Sequence, residues 1–123
     1  MIVSKLTGMR DDKQLSAYFY VADSGIHGKG LFAKRRIPEG SYLGTYDGPE
    51  VTDNGDHVLW AQDENDDWIG RDGQNMLRYL NHSKRPQAEF EGFDLYALRD
   101  IEPHEEITID YGDDLPGDGW PDD

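Results

Sequence analysis

Short apolar and aromatic runs, separated by Gly, Pro and acidic residues, dominate the pattern of the chain. The runs are rich in aromatic or β-branched side chains, which favours strands over helices. The predicted strands are residues 16–22, 31–33, 42–46, 58–62, 68–71, 88–90 and 94–98, followed by a strand late in residues 99–111 that ends near Tyr111. Residues 73–80 are the best candidate for a helix, and it is short. The pattern therefore predicts a mainly β domain with little helix.

The chain has 123 residues, enough for one domain with a real core, whereas two domains would each be marginal. We expect a polar N-terminal arm over residues 1–15, the folded domain over 16–114 and an acidic C-terminal tail over 115–123. No apolar leader with a cleavage site is recognisable, and no stretch approaches membrane-spanning length. We therefore expect an intracellular, cytoplasmic protein without membrane contact, and a nuclear one if the source is eukaryotic or viral.

The formal net charge of −14 at pH 7 sets the class of partner that the chain favours. Binding to nucleic-acid phosphates needs clustered Lys and Arg, so a direct, nonspecific nucleic-acid binder is excluded. Negative residues crowd 47–67 and 105–123, which favours a basic protein or peptide as partner, although most single carboxylates serve solubility. The oligomeric state is left open, with a homodimer as one alternative.

The sequence does not predict a metal site. The chain has no Cys, which excludes disulfides and Cys-ligated zinc, and its four histidines show no His-x-x-x-His spacing. Asp63, Asn65 and Asp67 mimic the first ligands of a calcium loop, but Trp68 replaces the required glycine and Gln74 the closing Glu.

Three separated motifs carry the candidate chemistry. In the second motif, apolar neighbours should anchor the backbone so that Asn81 and His82 present hydrogen-bonding groups to a small polar molecule. The motifs are Gly28-Lys29-Gly30, then Arg78-Tyr79-Leu80-Asn81-His82-Ser83 with Pro86, and then Glu105-Glu106-Ile107-Thr108-Ile109-Asp110-Tyr111-Gly112.

In this order and at about these intervals, the motifs resemble those of the SET-domain protein lysine methyltransferases, in particular the minimal SET proteins of viruses and bacteria. The resemblance covers roughly residues 17–114. It implies several small curved sheets around a threaded, pseudoknot-like C-terminal segment, an exception to the general rule against threading. It also implies S-adenosylmethionine as methyl donor, S-adenosylhomocysteine as product, and a lysine of a histone, histone-like or ribosomal protein as acceptor.

The resemblance assigns the cofactor contacts residue by residue. The loop formed by Gly28, Lys29 and Gly30 should wrap the cofactor with backbone groups, because glycine permits close approach. Arg78 should contact the cofactor through its backbone. Asn81 should bind the methionine part through its amide, and His82 the adenine through its main chain. For the His82 ring, simple packing is the alternative.

The resemblance also assigns the reacting centre. Tyr111 corresponds to the catalytic tyrosine, and Tyr46 to a tyrosine that lines the lysine channel, with an ordinary aromatic at a strand end as the alternative. Ile109 stands where a Phe or Tyr often limits the number of methyl groups, so product multiplicity is open, and Phe90 is a further candidate for the channel.

The chain departs from the family after its second motif. Residues 84–87 replace a common Cys-x-Pro-Asn continuation, and the Cys-rich zinc segment is missing. Trp120 is the candidate for an aromatic lid over the adenine, and a Trp without such a role is the alternative. Two other functions stay open: a catalytically silent SET-like module that binds a basic partner, and an acidic decoy that mimics nucleic acid.

Overall fold

The computed structural model describes residues 11–55 and 57–111, and within these ranges the chain is mainly β. A single helical turn, α1, spans Asp12–Leu15, and a 3-10 helix spans Met76–Tyr79. The strands are β1 Phe19–Asp23, β2 Lys29–Ala33, β3 Tyr42–Thr45, β4 Glu50–Val51, β5 Val58–Gln62, β6 Trp68–Asp72, β7 Asn81–His82, β8 Ala88–Glu91, β9 Asp94–Ala97 and β10 Glu106–Ile109.

The strands form three small sheets. Their orders are β1-β2-β10-β7, β3-β9-β8 and β4-β6-β5. All pairings between neighbours are antiparallel except that of β10 with β7, which is parallel. This arrangement confirms the prediction of a mainly β protein with small sheets and very little helix.

Strand β10 joins segments that are far apart in sequence. It pairs with β2, where Ile107 lies opposite Leu31, and on its other edge with β7, where Thr108 lies opposite Asn81. These pairings bring the three sequence motifs together at one place. The predicted threading of the C-terminal segment stays a prediction, because residues 112–123 lie outside the described part of the chain.

One continuous apolar core connects the sheets. Leu31, Leu77, Leu95, Ile101 and Ile107 are fully buried in it. Burying a side chain of this size stabilises the fold by about 1.5–3 kcal/mol relative to leaving it exposed, before entropy costs are counted.

The predicted arm of residues 1–15 is wrong for its last part. Residues 12–15 form α1, whose N-terminus is capped by the Asp11 side chain, and Leu15 is fully buried in the core. The burial of Leu15 could not be predicted from the sequence, because a single apolar side chain at the end of a polar stretch gives no periodic signal.

The predicted helix over residues 73–80 is also wrong in its first half. The backbone N–H of Gly73 donates to the His57 carbonyl, and that of Gln74 to the Asp47 carbonyl. These bonds to distant segments hold the backbone out of a helical path. Only residues 76–79 turn, and they form a 3-10 helix.

Within residues 11–55 and 57–111, none of the helices is both long enough and apolar enough to cross a membrane.

The central position of β10 predicts that Ile107→Ala destabilises the protein strongly. Ile107 is 0% exposed, and the substitution removes buried methyl groups and leaves a cavity, which costs about 2–5 kcal/mol of unfolding free energy. Urea denaturation measures this as a lower midpoint. The matched control is Ile26→Ala, since Ile26 is 46% exposed and its truncation should cost little. Equal midpoints for the two variants would contradict the assigned core.

Candidate active site

Tyr111 is held against the second motif by two hydrogen bonds. Its backbone N–H donates to His82 Nδ1 at 2.9 Å, and its hydroxyl donates to the Leu80 carbonyl at 2.9 Å. The His82 and Tyr111 rings also lie 5.1 Å apart between centroids. The pairing of β10 with β7 explains this proximity, because Tyr111 follows the strand that runs beside Asn81 and His82.

The His82 ring therefore has a role beyond packing. In this geometry the ring nitrogen Nδ1 is the acceptor for the Tyr111 backbone N–H. Nδ1 also lies 3.7 Å from the Asp110 carboxylate. His82 orients the backbone that carries Tyr111.

Tyr46 lies close to Tyr111 and is almost fully buried, with 6% exposure. Its hydroxyl donates to the His57 carbonyl, and the Phe90 ring meets its ring edge-on at 5.7 Å. Burial raises the pKa of the Tyr46 hydroxyl well above its ordinary value, and the neighbouring Tyr111 adds to this rise. Tyr46 is therefore a neutral phenol at physiological pH.

A narrow cavity of about 30 Å³ lies between these aromatic residues. The predicted channel residues all line it: Tyr46, Phe90, Ile109 and Tyr111. The rest of the lining is Leu59, Leu77, Leu80, His57 and Arg78. The structure thus brings together the residues that the resemblance assigned to the reacting centre. Their roles in catalysis stay predictions.

A wider, open groove of about 360 Å³ lies beside the cavity and shares four lining residues with it: Leu59, Phe90, Ile109 and Tyr111. Trp60 and Trp68 contribute aromatic surface to the groove, and Glu89 and Asp110 contribute carboxylates. The groove can therefore hold an apolar and basic chain segment next to the cavity.

The two glycines of the first motif are required for different reasons. Gly28 has φ of +46°, a left-handed conformation that favours glycine. At Gly30, a Cβ would overlap the Glu106 carboxylate, so the space is used inside the protein. Lys29 pairs with Asp23 at 2.7 Å, and because both side chains are largely exposed, this ion pair adds little stability.

Asn81 links this loop to the sheet. Its Nδ2 donates to the His27 and Lys29 carbonyls, both at 3.0 Å, and to Glu106 Oε2 at 2.9 Å. The amide that was assigned to the methionine part of the cofactor thus holds the loop in this structure. Glu106 lies in the third motif, but the residue pattern of a strand does not indicate which distant side chains it contacts.

The Arg78 side chain binds backbone carbonyls just before the 3-10 helix. Its guanidinium donates to the Gln74 and Asn75 carbonyls at 2.8 and 2.9 Å, and lies over the Tyr79 ring at 4.5 Å. The guanidinium is thus occupied locally, which is consistent with the assignment of a backbone contact only. That contact stays a prediction.

Among the described residues, no group of three or more His, Asp or Glu side chains could hold a metal ion. The loop that mimics the start of a calcium site is instead organised by Asp63, whose carboxylate accepts the backbone N–H groups of Asn65 and Asp67.

Comparisons with known proteins agree with this geometry. The family model described as "SET domain" matches residues 28–112, well over half of the chain. A histone-lysine N-methyltransferase, H3 lysine-4 specific, from Chaetomium globosum is 31% identical over 112 aligned residues, which cover 73% of this chain. This chain spans 10% of that relative's length.

Solved structures show the same fold. The methyltransferase domain of human histone-lysine N-methyltransferase SETMAR superposes with a TM-score of 0.66 at 24% identity, covering 76% of this chain and 44% of that one. The methyltransferase domain of human PR domain-containing protein 2 superposes with a TM-score of 0.64 at 21% identity, and 80% of each chain is covered. The chain belongs to the SET-domain family, and the resemblance drawn from the motifs is confirmed.

The family uses S-adenosylmethionine as methyl donor, and the loop before β2 fits such a ligand. No heavy atom lies within 4 Å of the point where a Cβ would stand at Gly25 or Gly28, so the loop backbone is open to close approach. Asn81 and His82 lie on β7, which β10 separates from β2, and the Asn81 side chain reaches the loop. The cofactor contacts of individual residues stay predictions, and Trp120 lies outside the described residues.

The burial of Tyr46 predicts that Gly73→Ala destabilises the site. A Cβ on Gly73 would overlap the Tyr46 ring and hydroxyl, and overpacking of this kind costs about 1–3 kcal/mol. In a Tyr46→Leu background the same change should cost clearly less, because the overlapping ring is gone. Thermal or urea unfolding of the four proteins measures the difference.

Gly25→Ala is the matched control, since a Cβ there meets no atom within 4 Å. If Gly73→Ala costs no more than this control, Tyr46 is not packed against Gly73 as described.

Proposed function

We propose that the chain is a protein-lysine N-methyltransferase that transfers a methyl group from S-adenosylmethionine to the ε-amine of a lysine in a basic protein. The observation that carries this proposal is the narrow cavity between Tyr46 and Tyr111, in which the Tyr111 hydroxyl is fixed by the Leu80 carbonyl. Membership of the SET-domain family supports the same reaction.

The cavity addresses the main chemical difficulty of the reaction, the protonation of the acceptor. Free lysine has a pKa of about 10.4, so presenting a neutral amine at pH 7 costs about 4–5 kcal/mol. The lining is mainly apolar and aromatic, and Arg78 adds a like charge, so the site disfavours the charged ammonium and lowers its pKa. When bound, S-adenosylmethionine supplies a methyl group on a positively charged sulfonium, so no nucleophilic side chain is needed.

Tyr111 has the geometry to orient the acceptor amine. Its hydroxyl donates to the Leu80 carbonyl, and this bond fixes the hydroxyl oxygen at the wall of the cavity. An amine N–H that donates to this oxygen would have its own lone pair directed elsewhere in the cavity. The contribution of Tyr111 is therefore alignment.

The open groove supports a basic substrate segment. Its carboxylates Glu89 and Asp110 attract cations, and the rings of Trp60 and Trp68 offer apolar contact to the substrate chain. We propose that an extended peptide lies in this groove and inserts its lysine past Phe90 and Ile109. The net charge of −14 favours the same class of partner.

The substitution Tyr111→Phe tests the proposal. It removes the hydroxyl but keeps the ring, so we expect S-adenosylmethionine to bind as in the wild type while methyl transfer to a basic protein falls by about 100-fold or more. Calorimetry measures the first quantity, and transfer of a labelled methyl group the second.

Tyr96→Phe is the matched control, because Tyr96 lies on β9 and does not line either cavity. Undiminished turnover of Tyr111→Phe would refute the role of Tyr111. A wild-type protein that binds basic proteins but no S-adenosylmethionine would instead be a catalytically silent module.

A further inference from the structure

The Glu106 carboxylate is the centre of a hydrogen-bond network under the loop between β1 and β2. The Ser24 hydroxyl lies 2.9 and 2.8 Å from its two oxygens and donates to the carboxylate. Asn81 Nδ2 donates to Oε2 at 2.9 Å. The carboxylate is partly buried and accepts from Ser24, which follows β1, and from Asn81 on β7. Hydrogen bonds to a charged acceptor in such a setting are stronger than neutral ones.

Both partners of Glu106 in turn hold the loop. The Ser24 hydroxyl oxygen accepts the N–H of Ile26 at 2.9 Å, and the Ser24 backbone N–H donates to the Gly28 carbonyl at 2.8 Å. Asn81 Nδ2 donates to the carbonyls of His27 and Lys29. The loop is thus held by hydrogen bonds from Ser24 and from Asn81, and both of these side chains also donate to the Glu106 carboxylate.

Gly30 leaves the space that Glu106 occupies. A Cβ at this position would overlap Glu106 Oε2, so any other residue would displace the carboxylate or the strand. Gly30 lies on β2 beside β10, and β10 carries Glu106. The missing side chain at Gly30 is therefore part of the same arrangement.

We propose that Glu106 is a positioning residue that fixes the loop of residues 24–30 in the shape that binds the methyl donor. This inference rests on the proposed function and deepens it, because a residue of β10 then influences how tightly the donor binds. Glu106 acts through Ser24 and Asn81. The loop backbone is then already ordered before the donor binds, which reduces the entropy cost of binding.

The test compares Glu106→Gln with Glu105→Gln. The first variant keeps the shape of the side chain but removes its charge and one acceptor. The second is a matched control, because Glu105 accepts from Gln87 and from the Glu102 backbone, away from the loop. We expect Glu106→Gln to bind S-adenosylhomocysteine about tenfold more weakly by calorimetry, and Glu105→Gln to bind it as the wild type does.

Kinetics and hydrogen exchange separate positioning from general damage. For Glu106→Gln we expect the KM for the donor to rise while kcat at saturating donor stays close to that of the wild type. The backbone amides of residues 24–30 should exchange faster than in the Glu105→Gln protein, whereas those of β5 and β6 should not. Unchanged donor affinity together with unchanged loop exchange would overturn the inference.

Ser24→Ala provides a second variant that removes a single hydroxyl from the network. It should weaken binding of S-adenosylhomocysteine by about threefold, and the double variant Ser24→Ala/Glu106→Gln should lose less than the product of the two separate losses. Independent, multiplicative effects would contradict a shared network.

The outcomes also distinguish this inference from the proposed function. If the wild type binds neither S-adenosylmethionine nor S-adenosylhomocysteine, both the proposed function and the ligand part of this inference fail. Hydrogen exchange of residues 24–30 then still tests whether Glu106 holds the loop in shape. If the wild type binds and transfers methyl groups but Glu106→Gln is indistinguishable from Glu105→Gln, the function stands and the positioning role fails.

Discussion

The pairing of β10 with β2 on one edge and β7 on the other is the constraint on which the site depends. The backbone hydrogen bonds of β10 place Glu106 under the loop that precedes β2. They also place Tyr111 within hydrogen-bond distance of the His82 ring and the Leu80 carbonyl. No local propensity could bring these groups together, since they lie on segments tens of residues apart. Packing of Ile107 and its neighbours in the core holds this strand in register.

Much of the fold follows from the sequence because the strands are short apolar runs with turn residues between them. Residues 58–62 form β5 with the predicted bounds, and the hairpin of β8 and β9 turns where Gly92 permits a positive φ. The two-residue strands β4 and β7 were not predicted, because their extended backbone depends on pairing partners rather than on their own side chains. The same dependence explains why residues 73–75 are not helical.

The site divides in the same way. The motifs identified Tyr111, Asn81 and His82, and the structure shows that these residues meet, with the His82 ring bonded to the Tyr111 backbone. The contact between Ser24 and Glu106 could not be predicted, because the two residues are 82 positions apart and neither residue type indicates a partner. The motifs also do not indicate that the missing Cβ of Gly30 makes room for a carboxylate of the protein itself, while the backbone contact expected of Gly30 stays a prediction. Geometry of this kind is not encoded in local patterns.

In the proposed function, the loop before β2 and strand β7 serve the methyl donor, the narrow aromatic cavity serves the acceptor amine, and the groove serves a basic chain segment. Incubation of the protein with isotopically labelled S-adenosylmethionine and a cell extract, followed by mass spectrometry of the labelled products, tests this account most directly. The account predicts label on lysine ε-amines of basic proteins. Absence of label, or label confined to groups other than lysine, would contradict it.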